Sequence, residues 1–166
     1  MAKYAPRAPL VGWPRQVNIH GGHAWLTPHG PALVTQTWEP RATLATVHSL
    51  CDFLDALVLD EVVARMPGLV VLHDWRSLQE LDPGARAVWA QRTRRPDNPF
   101  GACDIYVALA GSPMLRMALR TAALTIQLAI GQRAARFVDS IEPTMQERRV
   151  TAPPTAFLPW WRTQPR

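Results

Sequence analysis

Residues 68 to 95, GLVVLHDWRSLQELDPGARAVWAQRTRR, decide the fold. The stretch opens on Leu69-Val70-Val71-Leu72, an unbroken apolar run too short for a helix and rich in β-branched residues. That combination predicts a strand buried on both faces. His73 and Asp74 end it, and a polar loop carries the chain past Trp75 and Ser77. Asp82-Pro83 then has the chemistry of a helix start, a carboxylate at the N-cap and proline at the first helical position. Strand, loop and helix make half of a βαβ unit.

The flanking sequence extends the same alternation. Upstream, Val17-Asn18-Ile19-His20 and His23 to Thr27 flank Gly21-Gly22, a hairpin signal, and Ala32 to Trp38 is a third strand after a turn at Pro28-His29-Gly30-Pro31. Glu39-Pro40 is expected to start a long helix with Leu44, Val47, Cys51, Leu54, Val58 and Val62 on its core face, stopped by Pro67-Gly68. Downstream, Asp104 to Ala110 is a second buried strand, and Gly111-Ser112-Pro113 opens a helix running to about Ile130. On that helix Leu115, Leu119, Ala122, Ile126 and Ile130 form one apolar face, while Met114, Met117, Leu124 and Leu128 form a second, more than one sheet contact requires. Gly131 ends it, Ala135 to Val138 is a short edge strand, and Glu142 to Arg149 is a last short helix.

This order predicts a single α/β domain over residues 17–149, with a mixed, mostly parallel sheet and about four helices. A Pro-rich arm, residues 1–16 with Trp13, precedes it, and a Pro/Trp-rich tail, residues 150–166 with Trp160 and Trp161, follows. Two tryptophans left in water on a tail would expose much apolar area, so they are expected to dock on this domain, on a second copy or on another partner.

Composition removes several classes. The net charge of +5 is spread over scattered arginines, Lys3 is the only lysine, and no phosphate-tracking stripe appears, so nucleic acid is not an expected partner. Cys51 and Cys103 stand far apart inside apolar patterns, which reads as two buried thiols in a reducing, cytoplasmic setting. The N-terminal prolines leave no continuous apolar segment for a secretory signal, and Arg116, Arg120 and Gln127 disqualify the 114–130 segment as a membrane span.

Chemical motifs are sparse. His20, His23 and His29 share one loop-rich segment without an accompanying carboxylate or thiolate, so a turn is the expected reading and a metal site is not. His48, Cys51 and Asp52 share a helix at contact spacing, but Cys51 belongs to the buried stripe, where a thiol is inert. There is no GxSxG elbow, phosphate loop or GxGxxG, and no cofactor is expected. The remaining candidate is the carboxyl end of the central strand, where open α/β sheets place ligand sites: His73 and Asp74, with Ser77, Asp82, Ser112 and Asp139 from neighbouring strand ends and helix starts. For Asp82, Ser112 and Asp139, helix capping is the competing role. Trp75, directly after the strand, is a candidate contact residue.

The element order, with Leu69 to Asp74, Leu81-Asp82-Pro83-Gly84 and the run from Ala135 to Glu142, resembles the anti-sigma-factor antagonist (STAS) family and its SEC14-like relatives. The likeness covers about residues 17–149. It implies a non-enzymatic regulatory or protein-interaction module. In phospho-switched members a hydroxyl residue follows the aspartate; here that position is Pro83, so the resemblance implies no phosphoserine switch there. The expected partner is therefore another protein or a second copy, recognised through His73, Asp74, Trp75, Ser77, Asp82, Met114, Met117, Trp160 and Trp161. The rival expectation is a carrier for a small apolar ligand or lipid, with a groove between the Met-rich helix and the sheet. A hydrolase pairing His73 with Ser77 or Ser112 is a third reading.

Overall fold

The computed structural model describes residues 15–27, 30–95, 97–110, 112–130, 133 and 135–150, and within these it leaves out the side chains of 15–18, 126, 129 and 130. Trp13, His29, Gly111, Gly131, Trp160 and Trp161 lie outside the described residues, as do the side chains of Ile126 and Ile130.

Three strands open the domain as antiparallel neighbours: β1 (Arg15–Ile19), β2 (Gly22–Thr27) and β3 (Ala32–Thr37). Gly21 makes the first turn, with a φ of +70° that L side chains rarely adopt. Then follow β4 (Arg41–Ala42), α1 (Leu44–Leu59), α2 (Val62–Arg65), β5 (Val70–Asp74), β6 (Glu80–Leu81) and α3 (Pro83–Thr93). After a 3-10 turn at Pro99–Ala102 come β7 (Asp104–Ala108), α4 (Pro113–Ile130), β8 (Arg136–Val138) and α5 (Glu142–Glu147).

Six strands form one mixed sheet in the order β1-β2-β3-β5-β7-β8, its last four members parallel. From β3 onward each crossover steps the same way across the sheet. Connections of one hand therefore lay α1 to α4 on one face, and α5 returns to the other.

Strand alternation divides the core accordingly. Leu33, Val71 and Val107 point to the α1 side, where they meet Leu50, Phe53, Leu54 and Leu57. Trp25, Val34, Val70, Leu72 and Ala108 point the other way, onto Ile141 and Met145. The central strand is buried along its whole length, as the apolar run requires.

Two expectations need correction. Glu39-Pro40 does not start α1: Arg41-Ala42 first pairs in parallel with Glu80-Leu81, and the helix begins after Thr43. Thr43 and Thr46 cap it reciprocally, each accepting from the other's backbone N–H. Leu44 faces outward, 44% exposed, whereas Val47, Cys51, Leu54 and Val62 are buried as expected and are joined in the core by Leu50, Phe53 and Leu57. Asp82 holds the N-cap position of α3 and Pro83 its first turn, but the Asp82 carboxylate makes no capping bond. It accepts from Arg41 Nε instead, tying the β4–β6 ribbon to the start of α3.

Candidate functional site

β5 carries His73 and Asp74 to the carboxyl edge of the sheet, and alternation sends them to opposite faces. They are not parts of one surface. Asp74 is buried on the α5 side, where its Oδ2 accepts from Gln36 Nε2 at 3.0 Å and from Arg76 Nη2 at 2.7 Å, and its Oδ1 from Arg76 Nε at 2.8 Å. Arg76 also reaches Glu142 Oε1 at 2.7 Å, joining the strand end to α5. These bonds raise the Arg76 pKa, with Asp74 the main cause. At Glu142 burial pushes the carboxyl up, but bonds from Ser140, its own amide and Arg76 outweigh this and hold it below its usual value. The Asp74–Arg76–Glu142 chain ties the end of β5 to the start of α5 and serves as a structural clamp.

His73 faces the other way. Its Nδ1 lies 2.6 Å from the Thr35 hydroxyl on neighbouring β3. Burial lowers its pKa to about 3, so the ring is neutral at physiological pH. Trp75 is buried, not an exposed contact residue: its ring sits on His73 at a centroid distance of 4.6 Å, and Trp89 of α3 meets both, at 5.6 Å from Trp75 and 5.9 Å from His73. Ser77 is exposed. The five loop residues expected to act together are thus dispersed: His73 and Trp75 inward, Asp74 to the opposite face, Ser77 to solvent, Asp82 bound to Arg41.

The aromatic triad forms one end of a half-enclosed cavity of about 400 Å³ between α3, α4 and strands β5, β7 and β8. Sequence explains the void. Among the described side chains of α4, Leu115 and Leu119 pack on the core, and the cavity is otherwise lined from this helix by Ala118, Thr121, Ala122, Ala123 and Thr125. Side chains that short cannot reach across to Trp89, Ile105 and Phe137 on the facing wall. Among the described residues the polar lining consists of His73, Arg86, Asn98, Arg133 and the hydroxyls of Thr93, Thr121 and Thr125, with no carboxylate. A mainly apolar cavity of this size with a few convergent polar atoms has the character of a small-molecule site.

The second apolar face of α4 points outward. Met114 is 77% exposed, Met117 65%, Leu124 55% and Leu128 86%.

The other sequence candidates separate. His20 is exposed, whereas His23 is buried against Trp25 at 5.1 Å and Trp38 at 5.8 Å. Among the described residues no group of three or more His, Cys, Asp or Glu could hold a metal ion. Cys51 and Cys103 are free and buried, and burial raises both thiols, Cys103 to about 11. His48 and Asp52 lie exposed while Cys51 points inward. Ser112 accepts from the Leu115 N–H at 3.2 Å, capping α4, and Asp139 pairs with Arg116 at 3.2 Å. Among the described residues His73 bonds Thr35 and no serine. No helix among them is long and apolar enough to cross a membrane.

Sequence reading missed Thr35, Arg86 and the small inner face of α4. The signal for the last was present, because five alanines and threonines between Ala118 and Thr125 face large aromatics on α3 and β8. No protein-family model matches the chain, and neither does any curated protein or solved structure.

Proposed function

We propose that the domain is a binding module for a small apolar molecule, held between α3, α4 and the sheet. The cavity of about 400 Å³ carries this reading. Its volume lies in the ordinary range for small-molecule sites, and its wall of Trp75, Trp89, Leu119 and Phe137 offers dispersion and apolar burial without a nucleophile.

Calorimetric titration with 2-naphthylmethanol tests it. Saturable binding with shifts in the Trp75 and Trp89 indole N–H resonances is expected, and Ala122→Phe should abolish it by filling the space. Binding that survives Ala122→Phe unchanged would place the ligand elsewhere.

A second reading rests on α4's outer face. Met114, Met117, Leu124 and Leu128 recur at spacings of three, seven and four, the seam of a helix that pairs with another helix. A second copy of this chain, contributing the same seam, is the proposed occupant, in keeping with the interaction-module expectation. Solution mass by light scattering tests it, a monomer at all concentrations being the contrary result.

A further inference from the structure

Among the described residues the charged groups lining the cavity are all of one sign. Among the described residues no Asp or Glu lines it, while Arg86 and Arg133 do. Arg133 already donates to Asp104 Oδ1 at 2.9 Å, which leaves it partly compensated. Arg86, exposed on α3, makes no ion pair among the described residues. One uncompensated guanidinium therefore stands on the wall of an apolar cavity, and its planar fork matches a carboxylate. A cationic ligand would meet repulsion with no counter-charge; a phosphate dianion would bring more charge than the wall offsets.

His73 sets a second requirement. The Thr35 hydroxyl is buried, and its one side-chain bond among the described residues is to His73 Nδ1. A buried hydroxyl donates where an acceptor is at hand, so Nδ1 accepts and the ring proton sits on Nε2. His73 is 95% buried (5% exposed) and lines the cavity, so Nε2–H is the donor it has left to offer there. His73 Nε2–H and the guanidinium groups of Arg86 and Arg133 are thus donors, two of them cationic.

We infer that the ligand is an apolar monoanion, a ring or branched hydrocarbon bearing one carboxylate that is held by Arg86, with a hydrogen-bond acceptor presented to His73. This rests on the cavity reading above and names the ligand class for it.

The test compares 2-naphthoate, 2-naphthylmethanol and 2-naphthylmethylamine by calorimetry on the full chain, beside Arg86→Gln. The expected order is carboxylate, then alcohol, then amine, with the carboxylate about tenfold tighter than the alcohol, the worth of one hydrogen bond to a charged group. That advantage should shrink as salt is raised, because Arg86 is exposed. In Arg86→Gln, an exposed change that leaves the core untouched, the carboxylate-to-alcohol ratio should fall toward one. Equal affinities for the three probes, or a carboxylate preference that survives Arg86→Gln, would overturn this inference and leave the apolar cavity standing. Failure of all three probes to bind would overturn the cavity reading itself, and the inference with it.

Discussion

Helices α1 and α4 lie on the same face of one sheet and are both amphipathic, yet they are used in opposite ways. α1 drives Thr46, Val47, Leu50, Cys51, Phe53, Leu54 and Leu57 into the core. α4, two residues longer at 18 against 16, packs through Leu115 and Leu119, lines a cavity with alanine and threonine, and leaves Met114, Met117, Leu124 and Leu128 in solvent. Periodicity locates an apolar stripe, but volume decides what the stripe can do. Where large aromatics already occupy the facing wall, a helix must offer small residues, and any mismatch in fit remains as space.

The sharpest way to break this contrast is to truncate a leucine in each helix. Leu57 is fully buried, and Leu57→Ala should cost roughly 2–5 kcal/mol in urea denaturation, because the surrounding core cannot collapse onto the hole. Leu119 is half-buried beside a cavity that already exists, so Leu119→Ala should cost about 1 kcal/mol, the transfer of fewer buried methylenes. Equal losses at the two sites would mean that α4 is packed as tightly as α1.

Enlarging side chains should give the opposite asymmetry. Ala85 of α3 is fully buried against Val47 and Cys51 of α1, so Ala85→Leu should destabilise by about 1–3 kcal/mol through overpacking. The same change at Ala122, on the cavity wall, should shift stability by less than about 1 kcal/mol while weakening 2-naphthylmethanol binding. A loss at Ala122→Leu as large as at Ala85→Leu would show that the space is not available.

The same contrast separates what sequence could show from what it could not. The strand from Val70 to Asp74, Pro83 at the start of α3 and the strand-helix alternation were legible because each depends on residues close in sequence. The start of α1 was not: Arg41-Ala42 pairs with Glu80-Leu81, a contact across almost forty residues that no local signal announces, and the same Arg41 takes Asp82 away from its capping role. At the site, His73 and Trp75 were identified but given the wrong surroundings. Their burial depends on Trp89 closing over them from α3 and on Thr35 lying opposite His73 in register. Met114 and Met117 were correctly singled out as apolar excess; which α4 stripe faces inward depends on the shape of the wall opposite.

Acid titration sharpens the comparison from beneath the cavity. His73, on the α4 side, has its pKa lowered from 6.5 to about 3, and His23, on the opposite face, to about 4, both by burial. Neither folded ring takes a proton at pH 5, whereas both rings of the unfolded chain do. Stability tied to these groups is therefore fully present above pH 6.5 and is lost as pH falls from there toward each folded value. The slope is about 1.4 kcal/mol per pH unit for a wholly buried ring such as His73. Nuclear magnetic resonance of the imidazole C–H groups should show His73 unprotonated down to pH 4. A His73 midpoint near 6.5 with His23 still depressed would mean that water reaches the ring beneath a loosely seated α4.

The outer stripe of α4 should give the smallest effect on folding and the clearest effect on assembly. Met117 is mostly exposed and packs on nothing in the core, so Met117→Lys should leave monomer stability within about 0.5 kcal/mol. If the stripe pairs with its counterpart in a second copy, however, the change puts two ammonium groups into one seam, where desolvation and like charge both oppose association. Light scattering at rising concentration should then show the unaltered chain gaining mass while the variant stays monomeric. The contrast between α1 and α4 would in that case be one of partner rather than of packing quality: α1 buries its stripe within its own fold, and α4 completes its burial on another molecule. If both chains remain monomeric and Met117→Lys is indistinguishable by every measure, the outer stripe is not a seam, and the inner cavity alone accounts for the composition of α4.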